Sequence, residues 1–498
     1  MLTLHNPPPS EKLYTDYTVK VNGISAKASL CRVSAMPYNT AWPGNQRPID
    51  QTEEAAFISF ESDEAVTLSI TYKNNPNEVT VRPLSKHVNT SVDKQTVTCT
   101  FVNPGAYTVE ADGFHNALHV FFNPINSFEK YTNCSENILH YHAGTHHIGR
   151  VELQSNTTVI IDSGAYIYGS FLALCAENIT VCGFGVIDGS VEKRVTDSSL
   201  LPLDYYDCIP ANRDAILDII EKNIVLDGIL RFYDCKNIRI EGVIMRDSST
   251  FAFICARCED VAVENVKAIG MWRYNSDGID IFNCSRTVIR DCFLRNFDDC
   301  IVLKGICGWD NKNMTDILIE NCVTWCDWGR NLEIGAETNA PKFENIIFRN
   351  CDCIHGSTVY LDIQHHNRAE ISNVTFEDIR AEYTHHQLPD TYQHDMSAPF
   401  PAFETTRYPL LMALPIYDMG LFSKDGKHGC IHDVEFTNIQ ILTDSPVLAV
   451  PESAFIGLDT THSVRRIKVT NVTFNGKRLR NEEMRIHKNE FAYDIELN

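Results

Sequence analysis

The sequence predicts an all-β protein, a right-handed parallel β-helix preceded by a small β-sandwich. Three observations carry this. A phrase of the form Asn/Asp-Ile/Val-x-apolar recurs along most of the chain. The residues between copies are short β-branched runs divided by polar turn residues, the pattern of short strands. A differently textured stretch of many alternating strands precedes the first copy.

The repeat is the main signal for architecture. Its copies are Asn178-Ile-Thr-Val, Asn237-Ile-Arg-Ile, Asp260-Val-Ala-Val, Asp316-Ile-Leu-Ile, Asn345-Ile-Ile-Phe, Asn373-Val-Thr-Phe and Asp433-Val-Glu-Phe, with a looser copy at Thr287-Val-Ile-Arg. Most neighbours lie about 23 to 29 residues apart, a solenoid period. The Leu-x-x-Leu-x-Leu signature of leucine-rich repeats is absent, which leaves stacked β-coils.

In chain order, residues 1–125 alternate apolar and polar in runs such as Tyr17-Thr-Val-Lys-Val and Ala65-Val-Thr-Leu-Ser-Ile, as a sandwich requires. Residues 126–150 read as a connector holding His140, His142, His146 and His147, and residues 151–498 as the β-helix. Two departures from the repeat predict rim loops. One runs from about Glu192 to Lys222 with Tyr205 and Tyr206; the other from about Tyr383 to His428 with His385, His386, Tyr392, Tyr408 and Tyr417. Their aromatic rings suit stacking on sugars.

Composition narrows the partners. A net charge of -22 argues against nucleic acid and against an anionic membrane surface. No apolar run is long enough to span a bilayer, and the amino terminus lacks a basic and apolar leader pattern, so a cytoplasmic protein is expected. Cys284, Cys292, Cys300 and Cys322 fall in apolar runs, as buried free cysteines do. Cys255-x-x-Cys258 has no second pair at zinc spacing, and the histidine cluster has no nearby acid in sequence. No metal ligand and no cofactor is therefore assigned. Oligomeric state is left open.

The chemistry concentrates between Arg273 and Gly305, where Asp277, Asp280, Asp298 and Asp299 stand in strand-like surroundings. Stacked coils place residues one turn apart about 4.8 Å from each other. Asp277 and Asp298 should then sit side by side, with Asp299 following at the bend. Three clustered carboxylates suit a hard-cation site or acid-base work on a glycosidic bond.

At these residues the chain resembles a known group. Asn275-Ser-Asp-Gly-Ile-Asp280 and Asp298-Asp-Cys-Ile-Val-Leu-Lys304 are similar to the Asn-Thr-Asp-Gly-x-Asp and Asp-Asp-Cys motifs of polygalacturonases, glycoside hydrolase family 28. The leading sandwich and Val323-Thr-Trp-Cys-Asp-Trp-Gly resemble the dextranases and isopullulanases of family 49. The resemblance implies a right-handed β-helix and hydrolysis with inversion. It makes Asp298 the general acid and Asp277 with Asp299 the pair that activates water.

Two departures from the family pattern bear on the substrate. Gly329-Arg330-Asn331 stands where polygalacturonases have Gly-His-Gly, and Tyr360-Leu-Asp362-Ile-Gln364 where they have the Arg-Ile-Lys that holds a galacturonate. A neutral oligosaccharide is the expected partner. Asn275, Arg330, Glu333, Gln364 and His365 are candidate substrate contacts. Lys304 is expected to bind a hydroxyl and tune the acid, and Asp280 to brace the turn. The alternatives are a polygalacturonase acting on pectic fragments, a calcium-dependent lyase, and a carbohydrate-binding β-helix without chemistry.

Overall fold

The computed structural model describes residues 1–35, 49–134, 137–192, 213–214, 228–306, 312–384, 409–418, 426–444 and 448–498. Its larger part is a right-handed parallel β-helix whose coils contribute to a 12-stranded and a 21-stranded sheet. The larger sheet holds two ladders. One runs through Phe251–Ala256, Ile279–Phe282, Ile301–Gly305, Arg330–Thr338 and Val359–His365. The other runs through Lys267–Met271, Phe293–Asn296, Val323–Cys326 and Asp352–His355. The first will be called the site ladder and the second the docking ladder.

The repeated phrase has a backbone cause. Its first residue is left-handed, with φ between 52° and 59° at Asn178, Asn237, Asp260, Asp316, Asn345, Asn373 and Asp433. Asn and Asp tolerate that region better than other residues with a Cβ. Several of these side chains also form a ladder: Asn237 Nδ2 donates to Asn178 Oδ1 at 2.7 Å, and Asn373 Nδ2 to Asn345 Oδ1 at 2.6 Å. The looser copy is corrected by one residue. Thr287 pairs with Val261, so Arg286 occupies the left-handed position, with φ 52°, and its Nε reaches Asp260 Oδ1 at 2.6 Å.

The residues after each phrase alternate inward and outward, and the inward ones stack like on like. Phe348, Phe376 and Phe436 lie ring over ring at 4.6 and 5.0 Å. Cys284, Cys292, Cys300 and Cys322 are buried and unbridged, and Cys255 and Cys258 lie wholly inside the same core.

Of the segment 126–150 read as a connector, residues 137–150 already belong to the helix. Asn137–Tyr141 pairs in parallel with Thr157–Ile161 and is the edge strand of the 12-stranded sheet, and Gly144–Leu153 pairs with Ala165–Leu174. As the open end of the stack it has few buried positions, so the apolar alternation that marks later coils is missing.

Before it stand a five-stranded and a six-stranded sheet sharing a core of Val21, Phe60, Leu68, Phe101 and Val120. The other face of the six-stranded sheet packs Cys31, Phe57 and Phe121 against Ile269, Phe293, Trp325 and Ile354 of the docking ladder. The sandwich therefore covers the docking ladder. A buried ionic knot ties the two parts. Arg82 donates to Glu110 at 2.9 Å, Glu382 at 2.6 Å and Asp444 at 2.8 Å, while His355 Nε2 meets Glu110 at 2.5 Å.

Phe376 is fully buried between two stacked rings, so Phe376→Ala should cost about 3–5 kcal/mol. The thermal unfolding midpoint checks this; an unchanged value would mean that the aromatic stack does not stabilise the coils.

Candidate active site

Three consecutive turns lead from the docking ladder into the site ladder, and they carry the candidate carboxylates. Asp277 lies between Met271 and Ile279, Asp298 and Asp299 between Asn296 and Ile301, and Gly329 between Cys326 and Arg330. The order of neighbours differs from the sequence expectation. Ile279 faces Ile301, and Gly278 N–H donates to the Asp299 carbonyl at 2.8 Å, so the backbone partner of Asp277 is Asp299 rather than Asp298. Cys300 N–H then donates to the Arg330 carbonyl at 2.8 Å, continuing the ladder.

Gly329 is what lets the carboxylates converge. A Cβ there would lie 2.4 Å from Asp299 Oδ1 and 2.6 Å from Asp298 Oδ1. Asp299 Oδ1 also accepts the Arg330 backbone N–H at 2.9 Å, which fixes its orientation.

Strand alternation supplies the next layer. Asp280, Val302, Glu333 and Asp362 are register partners on the outer face of the site ladder. Lys304 lies between two of the acids, with Nζ 2.8 Å from Asp277 Oδ2 and 3.2 Å from Asp280 Oδ1. The sequence reading gave Asp280 a turn-bracing role. It lies instead in the strand Ile279–Phe282, fully buried beside Lys304. Lys304, expected to meet a hydroxyl, is itself buried and engaged by the two acids.

Arg330 lies in a second acidic nest, 3.5 Å from Asp362, 3.9 Å from Asp299 and 4.0 Å from Glu333. Six carboxylates thus face two cations, and both cations already have acidic neighbours. Glu337 adds a further negative charge felt by Asp277 and Lys304.

Burial and mutual repulsion set the protonation states. The Asp298 carboxyl is pushed well above the ordinary range by burial, then by the charges of Asp277 and Asp299. Burial also raises Asp277, to about 7, against the pull of Lys304. Glu333 is raised by burial and by Asp299, and Asp362 by burial, to about 7, with Arg330 opposing. Lys304 stays charged because its acidic neighbours outweigh its burial.

Two predicted contacts need separate treatment. Asn275 is half-buried in the turn before Asp277, with a left-handed φ of 56°. His365 is corrected: it is fully buried, its Nδ1 bonds Thr338 Oγ1 at 2.7 Å, and burial lowers its pKa to about 3. Alternation turns Asp362, Gln364 and His366 outward instead. The His366 ring stacks on Tyr417 at 4.4 Å, and its Nε2 lies 3.1 Å from Gln364 Nε2.

Sequence reasoning missed an aromatic platform at the start of the site ladder. Trp328 stacks on Phe297 at 5.4 Å and lies 5.6 Å from Tyr274, with Trp328 and Tyr274 half-exposed beside the carboxylate turns. Tyr274 and Trp328 each lie within one of these turns, but their meeting across coils follows only from the stacking. Of the expected rim-loop residues, Tyr417 is described; Tyr205, Tyr206, His385, His386, Tyr392 and Tyr408 lie outside the described residues.

The fold and site define a right-handed β-helix protein with a buried carboxylate cluster flanked by aromatic rings. Comparison with known proteins sharpens this. The model for glycosyl hydrolases family 28 matches residues 147–386, a span that contains the whole cluster, so the family resemblance seen in the motifs holds. Rhamnogalacturonase A of Emericella nidulans is 27% identical over 150 residues, 30% of this chain and 28% of that protein. A dextranase of an Arthrobacter species is 23% identical over 268 residues, 49% of this chain and 37% of that protein. The chain thus matches well under half the length of these relatives. Among solved structures, Dex49A from Penicillium minioluteum superposes with a TM-score of 0.64 at 12% identity, covering 99% of this chain and 96% of that one, a likeness of fold.

Lys304→Met removes the cation 2.8 Å from Asp277. The Asp277 pKa, already raised by burial, should rise by about one to three further pH units, read by carboxyl-carbon NMR titration.

Proposed function

We propose that the protein is an inverting glycoside hydrolase that cleaves a neutral oligosaccharide. Asp298 acts as the general acid, and Asp277 and Asp299 activate water. The observation that carries this reading is the unequal environment of the clustered carboxylates. Asp298 is held protonated by burial and two acidic neighbours, while Asp277 has a lysine at 2.8 Å and Asp299 a backbone N–H at 2.9 Å to stabilise the anion.

In the proposed reaction Asp298 gives its proton to the glycosidic oxygen as the bond to the anomeric carbon breaks. Water attacks that carbon from the opposite face, and its proton passes to the Asp277 and Asp299 pair. Tyr274 and Trp328 offer faces for a sugar ring on the side where the strands begin, and His366 with Tyr417 on the side where Val359–His365 ends. The surplus of acid around Arg330 favours a sugar without a carboxylate, because that cation already sits among Asp299, Glu333 and Asp362. The family 28 match keeps a second reading, hydrolysis of galacturonide fragments, in which Arg330 would have to leave its acids to meet a uronate.

A panel of neutral and acidic oligosaccharides, with products identified by mass and first-formed anomer by NMR, decides between the two. Release of uronate alone would overturn the neutral-sugar reading, and a retained anomer the water mechanism.

Asp298→Asn should lower turnover about a hundredfold to ten-thousandfold with the fold intact. Near-normal turnover would remove Asp298 from the role. Gly329→Ala places a Cβ within 2.6 Å of both Asp298 and Asp299 oxygens, so displacement of these groups should cost about a hundredfold in kcat.

The pH profile follows from the two environments. The base must be ionised, so turnover should rise with pH through about 7, the value to which burial lifts Asp277. It should fall again at higher pH as Asp298 loses its proton. These limbs belong to the coupled cluster as a whole. An acidic limb near the ordinary aspartate range would contradict the assignment of Asp277 as part of the base.

A further inference from the structure

A second constellation lies at the opposite end of the stack from the late coils, on the edge strand Asn137–Tyr141. His140 and His142 are exposed there, and the coil after them brings Asp162 level with His142, its N–H donating to the Tyr141 carbonyl at 3.0 Å. Asp162 Oδ1 is 2.8 Å from His140 Nε2, and Oδ2 is 2.8 Å from His142 Nδ1. One ligand atom from each of the three residues lies within 4.8 Å of the others. His146 donates from Nε2 to the His142 carbonyl at 2.7 Å, which pins the backbone that carries the second imidazole. The acid absent from the local sequence around these histidines is therefore supplied by stacking.

We propose that His140, His142 and Asp162 bind a divalent transition-metal ion of the zinc type. Two imidazole nitrogens and one carboxylate are a donor set for zinc, cobalt or nickel rather than for calcium or magnesium, which favour oxygen. Bond lengths of about 2.0 to 2.2 Å need only small rotations of side chains that are free to make them, the His142 side chain being 74% exposed. Three protein ligands leave at least one position for water or another ligand. That position has space, since His140 and Asp162 also line a cleft of about 820 Å³ bounded by Glu61, Phe128 and Phe184. The site shares no residue with the carboxylate cluster and does not depend on the proposed hydrolysis.

The test uses the full chain without an affinity tag, stripped with a chelator and titrated with Co²⁺ while visible absorption and calorimetric heat are followed. One equivalent should bind with a visible band typical of nitrogen and oxygen ligands, and Zn²⁺ should displace it while excess Ca²⁺ does not. Asp162→Asn and His142→Ala should each weaken binding by at least about tenfold. His147→Ala, whose ring stacks on Tyr168 at 5.0 Å outside the cluster, should leave it unchanged. Circular dichroism confirms that each variant is folded. Absence of saturable binding overturns the proposal. So does binding that survives both ligand variants, or that is lost in Asp298→Asn and kept in Asp162→Asn.

Discussion

The register of parallel hydrogen bonding between coils is the constraint on which the rest depends. It places each residue over its counterpart in the next turn, so any chemical feature repeated in sequence becomes a column in space. Columns of phenylalanine and cysteine fill the interior, columns of left-handed Asn and Asp mark one corner, and a column of Asp280, Glu333 and Asp362 faces outward. The turns into the site ladder vary in length, from the seven residues between Met271 and Ile279 to the three between Cys326 and Arg330. This lets Asp298 and Asp299 project where a regular strand would show only one of them.

Charge is concentrated there at considerable cost, since carboxylates removed from water are unfavourable unless paired or protonated. The molecule meets that cost in two ways. Lys304 and Arg330 each serve several acids, and burial, followed by the charges of Asp277 and Asp299, pushes the Asp298 carboxyl well above the ordinary range and so toward its neutral form. Both features arise from the same crowding. An acid that keeps its proton and an anion steadied by a lysine are therefore produced by one arrangement, not by two separate devices.

Legibility in the sequence followed the same logic. The β-helix could be read because left-handed positions restrict residue choice, leaving a visible Asn or Asp at the head of the repeated phrase in most coils. Arg286 escaped because its long side chain meets the corner's requirement by reaching Asp260. The convergence of Asp277, Asp298 and Asp299 was readable from spacing and motif, but the pairing of Asp277 with Asp299 was not, because a turn's length shifts register by a residue without changing composition. His365 faces the interior because alternation along Val359–His365 decides its direction; counting outward from Asp362 by twos selects Gln364 and His366. The platform of Tyr274 and Trp328, and the meeting of Asp162 with two histidines, exist only once coils are stacked.

The Arg82 knot has a consequence for how the chain is made. Its guanidinium belongs to the N-terminal sandwich, yet two of its three carboxylate partners, Glu382 and Asp444, come from late coils. During vectorial synthesis the sandwich emerges first. Until the late coils are laid down, Arg82 has only Glu110 at hand, and sealing the guanidinium from water would leave most of it unsatisfied. Final docking of the sandwich therefore awaits the coils that carry Glu382 and Asp444, so that a part translated before them is locked in place only after them.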